Sequence, residues 1–213
     1  MVWVGLPSRL EAEAVETTLQ GITPLRLLVT GVGALASLQA LWQAWVTAEA
    51  QPVALVVLGI AGSYDRRLAP SKPVYVQRER WGDVGKRYGR RFEPTPEALR
   101  HRFPLYYESS PPPPEWPFPC VEGLTLHTVS GSRREARFWR RQFPTAQIET
   151  QENVAYFIFA QAQGIPLYAL RVISNFAGAR RWEKALALAQ LHELAQTYVA
   201  PFCRKLLAGS PPT

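Results

Sequence analysis

The sequence of 213 residues lacks any apolar stretch of the roughly 18 to 20 residues needed to cross a membrane. Its amino terminus also lacks a basic stretch leading into a long apolar run, because Ser8, Arg9 and Glu11 interrupt it at once. These absences argue against a membrane protein and against a secretory signal, so we expect a cytoplasmic protein. The length favours one domain, residues 1–213, over two.

Cysteine and histidine are scarce, which argues against the common metal and redox sites. Cys120 and Cys203 lie far apart and in no metal-type or C-x-x-C spacing, so both are interpreted as reduced. The three histidines, His101, His127 and His192, are scattered. No Walker, H-E-x-x-H or G-x-S-x-G motif is present. We therefore expect neither a metal nor a cofactor.

Basic residues outnumber acidic ones, and the formal net charge is +7. The cations form two clusters, one at Arg78, Arg80, Lys86, Arg87, Arg90 and Arg91, the other at Arg133, Arg134, Arg137, Arg140 and Arg141. Such clusters attract phosphate backbones, but no recognised nucleic-acid motif accompanies them. A solvated or ion-paired face is favoured, steering of an anionic substrate stays open, and nucleic acid is not expected.

Short apolar strands alternate with helices along the chain. Strands are predicted at 2–6, 25–30, 53–58, 73–77, 124–129 and 167–173, and helices at 10–19, 34–49, 154–162 and 182–207, the last with a break near Pro201 as an option. This alternation predicts an α/β sheet. Residues 111–119 are mostly proline and are expected to form an extended surface segment.

Glycine turns are predicted after two strands, at 31–33 and 59–63, where bare backbone can approach a ligand. The first turn formally fits the G-x-G-x-x-A dinucleotide pattern. However, the following strand ends at Leu58 and Gly59 without the acid that would hold the ribose of a dinucleotide. A nicotinamide or flavin cofactor is therefore not expected.

Polar groups concentrate between residues 147 and 175. Glu149 and Glu152 precede an apolar helix, and Asn175 follows a strand, beyond whose carboxyl end ligands of α/β sheets bind. Separated carboxylates, glycine turns and an amide suit cleavage of a glycosidic bond. Its oxocarbenium-like transition state needs a carboxylate near the sugar, an oriented water and stabilisation of the departing group.

The chain resembles the nucleoside phosphorylase/hydrolase superfamily, and within it the futalosine hydrolases. The matching blocks follow the family order and lie at 7–12, 31–33, 59–63, 78–85, 128–132, 149–152, 164–166 and 171–175. The resemblance implies an α/β domain whose central mixed sheet is partly closed into a barrel and flanked by helices. It also implies a homo-oligomer, a dimer or a tetramer, that binds a small purine nucleoside.

The resemblance also implies roles for individual residues. Glu11 would orient the attacking water, Glu152 would accept hydrogen bonds from the ribose hydroxyls, and Asn175 would contact purine N7 and the six-position substituent. The alternative for the two glutamates is an ordinary acid at a helix start, and for Asn175 an ordinary turn residue. The implied substrate-binding residues are Gly33, Ala61, Gly62, Ser130, Arg133, Gln151 and Phe176.

The implied activity is hydrolysis of futalosine to hypoxanthine and dehypoxanthine futalosine in menaquinone biosynthesis. The alternatives are a purine nucleoside phosphorylase, a methylthioadenosine/S-adenosylhomocysteine-type nucleosidase, or a non-catalytic nucleoside-binding protein. The apolar Val57-Leu58 replaces one phosphate-clamping arginine of the phosphorylases, which favours water as the nucleophile, although residues 5–9 slightly resemble the other phosphate segment. Gln151, Asn153, Arg133 and Arg134 depart from the family pattern.

Asn175 leads to a prediction about base selectivity. An amide NH2 group donates to the six-oxo group of hypoxanthine, whereas the adenine-type nucleosidases carry aspartate at this position. Asn175→Asp should therefore shift relative kcat/KM from six-oxo toward six-amino purine nucleosides. Kinetics on both substrates with both proteins measure the shift, and an unchanged ratio would count against the assignment.

Overall fold

The computed structural model describes residues 1–89, 91–96 and 104–209. His101 and Arg90, mentioned above, lie outside these ranges. The strands are β1 (Val2–Leu6), β2 (Leu25–Val29), β3 (Ala54–Ser63), β4 (Pro73–Trp81), β5 (Gly85–Tyr88), β6 (Arg91–Pro94), β7 (Tyr107–Glu108), β8 (Cys120–Thr125), β9 (Ile148–Thr150) and β10 (Leu167–Phe176). The helices are α1 (Arg9–Leu19), α2 (Ala34–Val46), α3 (Arg133–Gln142), α4 (Asn153–Gln163), α5 (Lys184–Leu194) and α6 (Ala200–Leu207).

The main sheet is mixed and partly closed. Its strand order is β10-β4-β8-β9-β3-β1-β2, with β7 added beside β4, and β10 also pairs with β3. This last pairing closes β10, β4, β8, β9 and β3 into a five-stranded barrel, which β1 and β2 extend as an open parallel sheet. The expected α/β class with a partly closed mixed sheet is confirmed.

Helices cover both faces of the open sheet, so β1 is buried throughout and reads as a continuous apolar run. Val2, Val4 and Leu6 pack into a core cluster with α1, α5 and α6. Trp3 points to the opposite cluster, where its ring stacks on Phe159 of α4 at a centroid distance of 6.3 Å. Among the described residues no helix is long and apolar enough to cross a membrane.

The helix ends follow the local chemistry of the sequence. α4 stops at Gly164, whose φ of 64° places it in the left-handed conformation that glycine adopts without penalty. The long carboxy-terminal helix is interrupted by the π-helical turn Ala195–Val199, and Pro201 lies in the first turn of α6. Proline has no N–H for the regular helix ladder, which gives the reason for the break expected near Pro201.

Four strand predictions had wrong boundaries, and one of them is β10, which continues to Phe176 instead of ending at residue 173. β3 continues beyond residue 58 to Ser63, so the turn predicted at 59–63 is wrong. β4 likewise continues to Trp81, and β8 spans Cys120–Thr125 rather than 124–129. The long strands pair with β10 and β8 around the barrel, and this pairing between distant segments overrides the local turn signal of glycine.

The proline-rich segment 111–119 contains no helix or strand, but it is not confined to the surface. Trp116 is 5% exposed, and its ring packs edge-on against Phe202 of α6 at 5.0 Å and against Tyr75 of β4 at 5.9 Å. The expectation of a surface segment is therefore wrong at Trp116. This side chain ties the segment to the core because a large aromatic area is removed from water.

Trp116 should consequently contribute strongly to stability. We predict that Trp116→Ala lowers the free energy of unfolding by about 3 to 5 kcal/mol, as for other buried large-to-small changes. The neighbouring Glu115 pairs only with Lys205 at 3.9 Å among the described residues, and Glu115→Ala should cost about 1 kcal/mol or less. Denaturant melts of both variants measure the difference, and equal effects would contradict the anchoring role.

Candidate active site

Two glycines in β3 make room for side chains that arrive from other elements. β10 pairs with β3 so that Arg171 lies opposite Gly59 and Asn175 lies opposite Gly62. A side chain at Gly59 would collide with the Arg171 guanidinium, and one at Gly62 would press on the Glu149 side chain. The Gly-Ile-Ala-Gly sequence thus marks close approach of side chains within a strand rather than a turn.

Glu11 is held rigidly at the start of α1. The Ser8 hydroxyl accepts from the Glu11 backbone N–H at 3.3 Å and donates to Glu11 Oε2 at 2.5 Å. The other oxygen, Oε1, accepts from the backbone N–H of Ile60 at 3.0 Å. Glu11 is only 4% exposed, so it is not a solvated acid, although its bonds to Ser8 also give it a structural role in the first turn of α1.

Glu152 lies at the N-terminal cap of α4, but its carboxylate does not cap the helix. Instead its Oε1 lies 3.4 Å from Arg171 Nη2, and both side chains are buried. Burial raises the pKa of Glu152 to about 7, Arg171 opposes this rise, and the charge of Glu11 adds to it. Glu11 Oε1 and Arg171 Nη1 both lie beside Gly59, and Glu152 contacts the same guanidinium, so the two carboxylates lie on either side of Arg171.

Arg171 is a functional candidate that the sequence reasoning did not single out. It is fully buried in β10, and its Nη2 donates to Asn153 Oδ1 at 2.8 Å. Among the described residues, Nε and Nη1 have no hydrogen-bond partner. Nη1 lies beside Gly59, where Glu11 Oε1 also points. Buried donors without partners require an explanation, and a water or a substrate hydroxyl between Nη1 and Glu11 would supply the missing acceptor.

A second buried acid lies behind Arg171. Glu79 of β4 is 0% exposed and accepts from Thr125 Oγ1 at 3.0 Å and from Asn153 Nδ2 at 2.5 Å. Burial raises the pKa of Glu79 to about 8, against the opposing effects of these two hydrogen bonds and of Arg171. The sequence offered two signals for this network, an arginine within an apolar strand and the unusual Asn153.

Asn175 lies near the end of β10, four residues after Arg171, where a register shift follows Ile173. Such bulges turn a strand and re-aim its side chains. Asn175 Oδ1 accepts from Ser174 Oγ at 2.8 Å, and Nδ2 donates to the Phe176 carbonyl at 2.9 Å. Their partners on β3, Gly59 and Gly62, are three residues apart, so at about 3.3 Å per residue Asn175 lies roughly 10 Å along the strand from Arg171. A ligand that contacts both ends must therefore lie along β10.

Glu149 belongs to a different arrangement from Glu152, although both were predicted at a helix start. Glu149 lies on β9, directly opposite Gly62, and its Oε2 accepts from Tyr64 Oη at 2.5 Å and from Ser130 Oγ at 2.7 Å. Burial raises its pKa. Glu149 thereby fixes Ser130 beside Gly62, whose other strand neighbour is Asn175. Ser130, Gly62 and Asn175 are thus brought together.

The remaining predicted binding residues are more dispersed. Ala61 is buried in β3, and Phe176, with 37% exposure, lines a groove of about 610 Å³ together with Arg133. Gln151 Nε2 donates to the carbonyl of His127 at 2.9 Å. Gly33 lies between the edge strand β2 and helix α2. Its φ of 98° is a conformation that glycine adopts easily and other residues rarely adopt. The structure thus gives conformational roles to Gln151 and Gly33.

The two arginine clusters differ in their partners. In the first, Arg78 and Arg80 contact Glu122 and Arg91 contacts Glu93. None of the α3 arginines has a carboxylate partner in the described part of the chain; these arginines are Arg133, Arg134, Arg137, Arg140 and Arg141. The first cluster is therefore partly ion-paired, and the α3 cluster is a solvated cationic face. Both agree with the expectation of a solvated or ion-paired surface.

No family model matches the sequence, and no curated protein matches it either. Solved structures are similar over nearly the full chain. A Campylobacter jejuni 5'-methylthioadenosine/S-adenosylhomocysteine nucleosidase has a TM-score of 0.76 at 13% identity, covering 96% of this chain and 98% of its own. A Helicobacter pylori futalosine hydrolase has a TM-score of 0.72 at 15% identity, covering 98% and 97%.

A third similar structure, a Neisseria meningitidis nucleosidase in complex with methylthio-immucillin-A, has a TM-score of 0.71 at 14% identity, covering 94% of this chain and 98% of its own. At these identities the likeness establishes the fold. The chain has the same α/β fold as these nucleosidase and futalosine hydrolase structures, with the partly closed mixed sheet that the resemblance implied.

The buried acids predict how stability depends on pH. The pKa values of Glu79 and Glu152 are raised from 4.5 to about 8 and about 7, so the folded chain binds these protons more tightly than the unfolded chain does. Their stabilisation is therefore complete below about pH 4.5 and is lost as pH rises through 7 and 8. We predict that Tm falls between about pH 5 and pH 8.5 and falls less in Glu79→Gln. The same pH slope in both proteins would contradict this account.

Proposed function

We propose that the protein is an N-ribosyl hydrolase that cleaves the glycosidic bond of the purine nucleoside futalosine and releases hypoxanthine. The observation that carries the proposal is a pair of buried carboxylates, Glu11 and Glu152, facing a buried Arg171 with unused donors. The fold shared with nucleosidases and with a futalosine hydrolase supports it. The chemistry requires a nucleophile, a cation-stabilising carboxylate and a group on the leaving base.

The nucleophile is a water between Glu11 and Arg171. Arg171 Nη1 would donate to the water oxygen, and Glu11 Oε1 would accept a water proton and take it up as the oxygen attacks C1' of the sugar. Ser8 and Ile60 fix the Glu11 carboxylate, so it needs little reorganisation during the reaction. Proton acceptance by a positioned carboxylate is general base catalysis.

Glu152 supplies the negative charge near the sugar. Ionised, it accepts hydrogen bonds from the ribose hydroxyls, and these strengthen as positive charge develops on the ring. Its pKa of about 7 means that a neutral solution already ionises about half of it, and the contact with Arg171 at 3.4 Å favours the ionised form. The activity should therefore rise with pH through about 7.

Asn175 serves the departing purine. An amide carries two N–H donors and two oxygen lone pairs, and in this structure Ser174 and Phe176 use one of each. The remaining donor suits the six-oxo group of hypoxanthine, and the remaining lone pair suits the N7–H of the departing base, which takes this proton from solvent because the Asn175 amide has none to give. Ser130 and Gly62 border the same end of the site through Glu149.

Water is favoured over phosphate as the nucleophile. Val57 and Leu58 of β3 are both fully buried and apolar, so no cation from this position reaches the site. Arg9, in the segment that slightly resembles a phosphate site, is exposed at the start of α1. Two buried carboxylates facing the nucleophile position would also repel a phosphate dianion, because like charges in a poorly solvated site interact strongly.

A substrate panel tests the proposed function. The protein is incubated with futalosine, aminofutalosine, inosine and methylthioadenosine, with and without phosphate, and free base is followed by chromatography. We expect hypoxanthine release from futalosine that is independent of phosphate. Strict phosphate dependence would assign a phosphorylase, preferred release of adenine would assign an adenine-type nucleosidase, and binding without release from any substrate would overturn the enzymatic proposal.

The roles of the two carboxylates predict large kinetic effects. Glu152→Gln and Glu11→Gln should each lower kcat by roughly 10² or more, because each removes charge that acts in the transition state. Glu13, exposed on the same helix as Glu11, provides a matched control, and Glu13→Gln should leave kcat unchanged. Steady-state base release measures all three, and a loss of less than about threefold in Glu152→Gln would indicate a structural glutamate.

A further inference from the structure

We propose that Glu79 and Asn153 are positioning residues for the reaction, which hold the Arg171 guanidinium in the orientation that leaves Nη1 facing Glu11. The inference deepens the proposed function and rests on it. Glu79 and Asn153 act through Arg171, and Asn153 connects the other two side chains by hydrogen bonds.

The carboxyl group of Glu79 determines how the Asn153 amide is oriented. Glu79 Oε2 accepts from the Asn153 NH2 group at 2.5 Å, and only this end of the amide can donate. The amide oxygen must then face the opposite way, toward Arg171. If Glu79 carries a proton on Oε1, Oε2 still accepts, so the orientation holds in both protonation states. Thr125 steadies the same carboxyl group through a hydrogen bond of 3.0 Å to Oε1.

The orientation of Asn153 in turn sets that of Arg171. Asn153 Oδ1 accepts from Nη2 at 2.8 Å, and Glu152 Oε1 lies 3.4 Å from the same nitrogen. The guanidinium group is a rigid plane, so fixing Nη2 also fixes the directions of Nη1 and Nε. These two nitrogens are the ones left without partners among the described residues. Asn153 therefore determines which donors of Arg171 remain available for water.

Two glycines show that the fold makes space for this arrangement. A side chain at Gly123 of β8 would collide with the Glu79 carboxylate, and a side chain at Gly59 of β3 would collide with the Arg171 guanidinium. Glycine within a strand weakens it, because glycine loses more chain entropy on folding and packs no side chain. At Gly123 and Gly59 the absence of a side chain leaves the space that Glu79 and Arg171 occupy, which offsets this loss of stability.

The charges around Arg171 come from several elements. Glu11 of α1, Glu79 of β4 and Glu152 of α4 are acids, and the Tyr156 ring lies 5.9 Å from the guanidinium carbon. One buried cation does not keep all three buried acids ionised, as the raised pKa values of Glu79 and Glu152 show. A further carboxylate placed beside Arg171 should therefore make ionisation of Glu152 more difficult, since like charges disfavour it.

Reciprocal substitutions test the inference in the full-length protein. In Asn153→Asp, the new carboxylate has no N–H to donate to Glu79, so the pair is broken once Glu79 is ionised, well above pH 8. In the double variant Glu79→Gln with Asn153→Asp, the new amide at position 79 can donate to the new carboxylate at position 153. That carboxylate still accepts from Arg171, so the chain of hydrogen bonds is restored with one polarity reversed.

Glu122→Gln is the matched control for these variants. Glu122 is a buried acid of the neighbouring strand β8, and it bonds Arg80 and Thr145 rather than any member of the Arg171 network. Its substitution therefore removes a buried carboxylate without touching the proposed site.

Assayed well above pH 8, where Glu79 is ionised, Asn153→Asp should lower kcat by about 10², the size of effect that small misplacements in active sites produce, with KM changed less than about threefold. The acid limb of its pH profile should move to higher pH by about one unit. The double variant should recover at least about tenfold in kcat, whereas its acid limb should stay shifted, because the carboxylate at position 153 remains beside Arg171. Glu122→Gln should lower Tm and leave kcat and the pH profile unchanged.

Two results would overturn the inference. One is that Asn153→Asp has the same kcat and the same pH profile as the wild-type protein. The other is a loss of kcat that parallels the loss of Tm in all variants, without recovery in the double variant, since a merely structural role would produce that pattern.

A spectroscopic measurement separates this inference from the proposed function. If the wild-type protein releases no base from any nucleoside, the proposed function fails, but the restraint on Arg171 can still be measured from its guanidinium NMR signals. Restricted rotation and slow exchange of the Nη hydrogens should be present in the wild type and lost in Asn153→Ala. Identical signals in the two proteins would overturn the positioning role whatever the activity.

Discussion

The burial of the Arg171 guanidinium is the constraint on which the rest of the structure depends. A cation with no exposure to water loses its hydration, and only close carboxylate and amide oxygens compensate for that loss. Glu152 and Asn153 provide them directly, and Glu79 provides them through Asn153. These groups come from β10, α4 and β4. The interactions of Arg171 therefore connect two strands of the barrel to the start of helix α4.

The same constraint explains why the site is chemically useful. A poorly solvated environment strengthens electrostatic interactions, so the charges of Glu11, Glu152 and Arg171 act at nearly full effect on a bound substrate. Each is held by its neighbours before any ligand arrives, Glu11 by Ser8 and Ile60 and the others by one another. The result is a preorganised pair of acids and a donor, which suits the stabilisation of a cationic sugar.

Much of the fold followed from local sequence, and the failures were non-local. The strand predicted at 2–6 is confirmed, and the helix predicted at 154–162 is confirmed to within one residue at each end, because the apolar run of β1 and the glycine after α4 act within a few residues. The extension of β3 through Gly59 and Gly62 depends on pairing with β10, more than 100 residues later in the chain, and local turn propensity gave the wrong answer. The prolines around Trp116 likewise predicted a surface segment, whereas its packing in the core depends on residues that are distant in the sequence.

For the candidate site, too, some residues could be predicted from the sequence and others depended on contacts between distant segments. Glu11 and Glu152 were identified by resemblance, and the structure shows both buried, with Glu152 in contact with Arg171 and Glu11 beside the same guanidinium at Gly59. Asn153 stood out in the sequence as a departure, but its partner Glu79 lies 74 residues away and no spacing rule connects them. Which of two acids near a helix start enters the site also depended on tertiary structure, since Glu149 turned out to belong to β9.

The central claim is that Glu11, Glu152 and Asn175 surround one nucleoside. A crystal structure of the protein with hypoxanthine and ribose tests it most directly. We predict Asn175 Nδ2 within about 2.7 to 3.2 Å of the six-oxo group, Glu152 at similar distances from the ribose hydroxyls, and a water between Glu11 and Arg171. Hypoxanthine bound away from Asn175, for example in the arginine-lined groove beside α3, would contradict it.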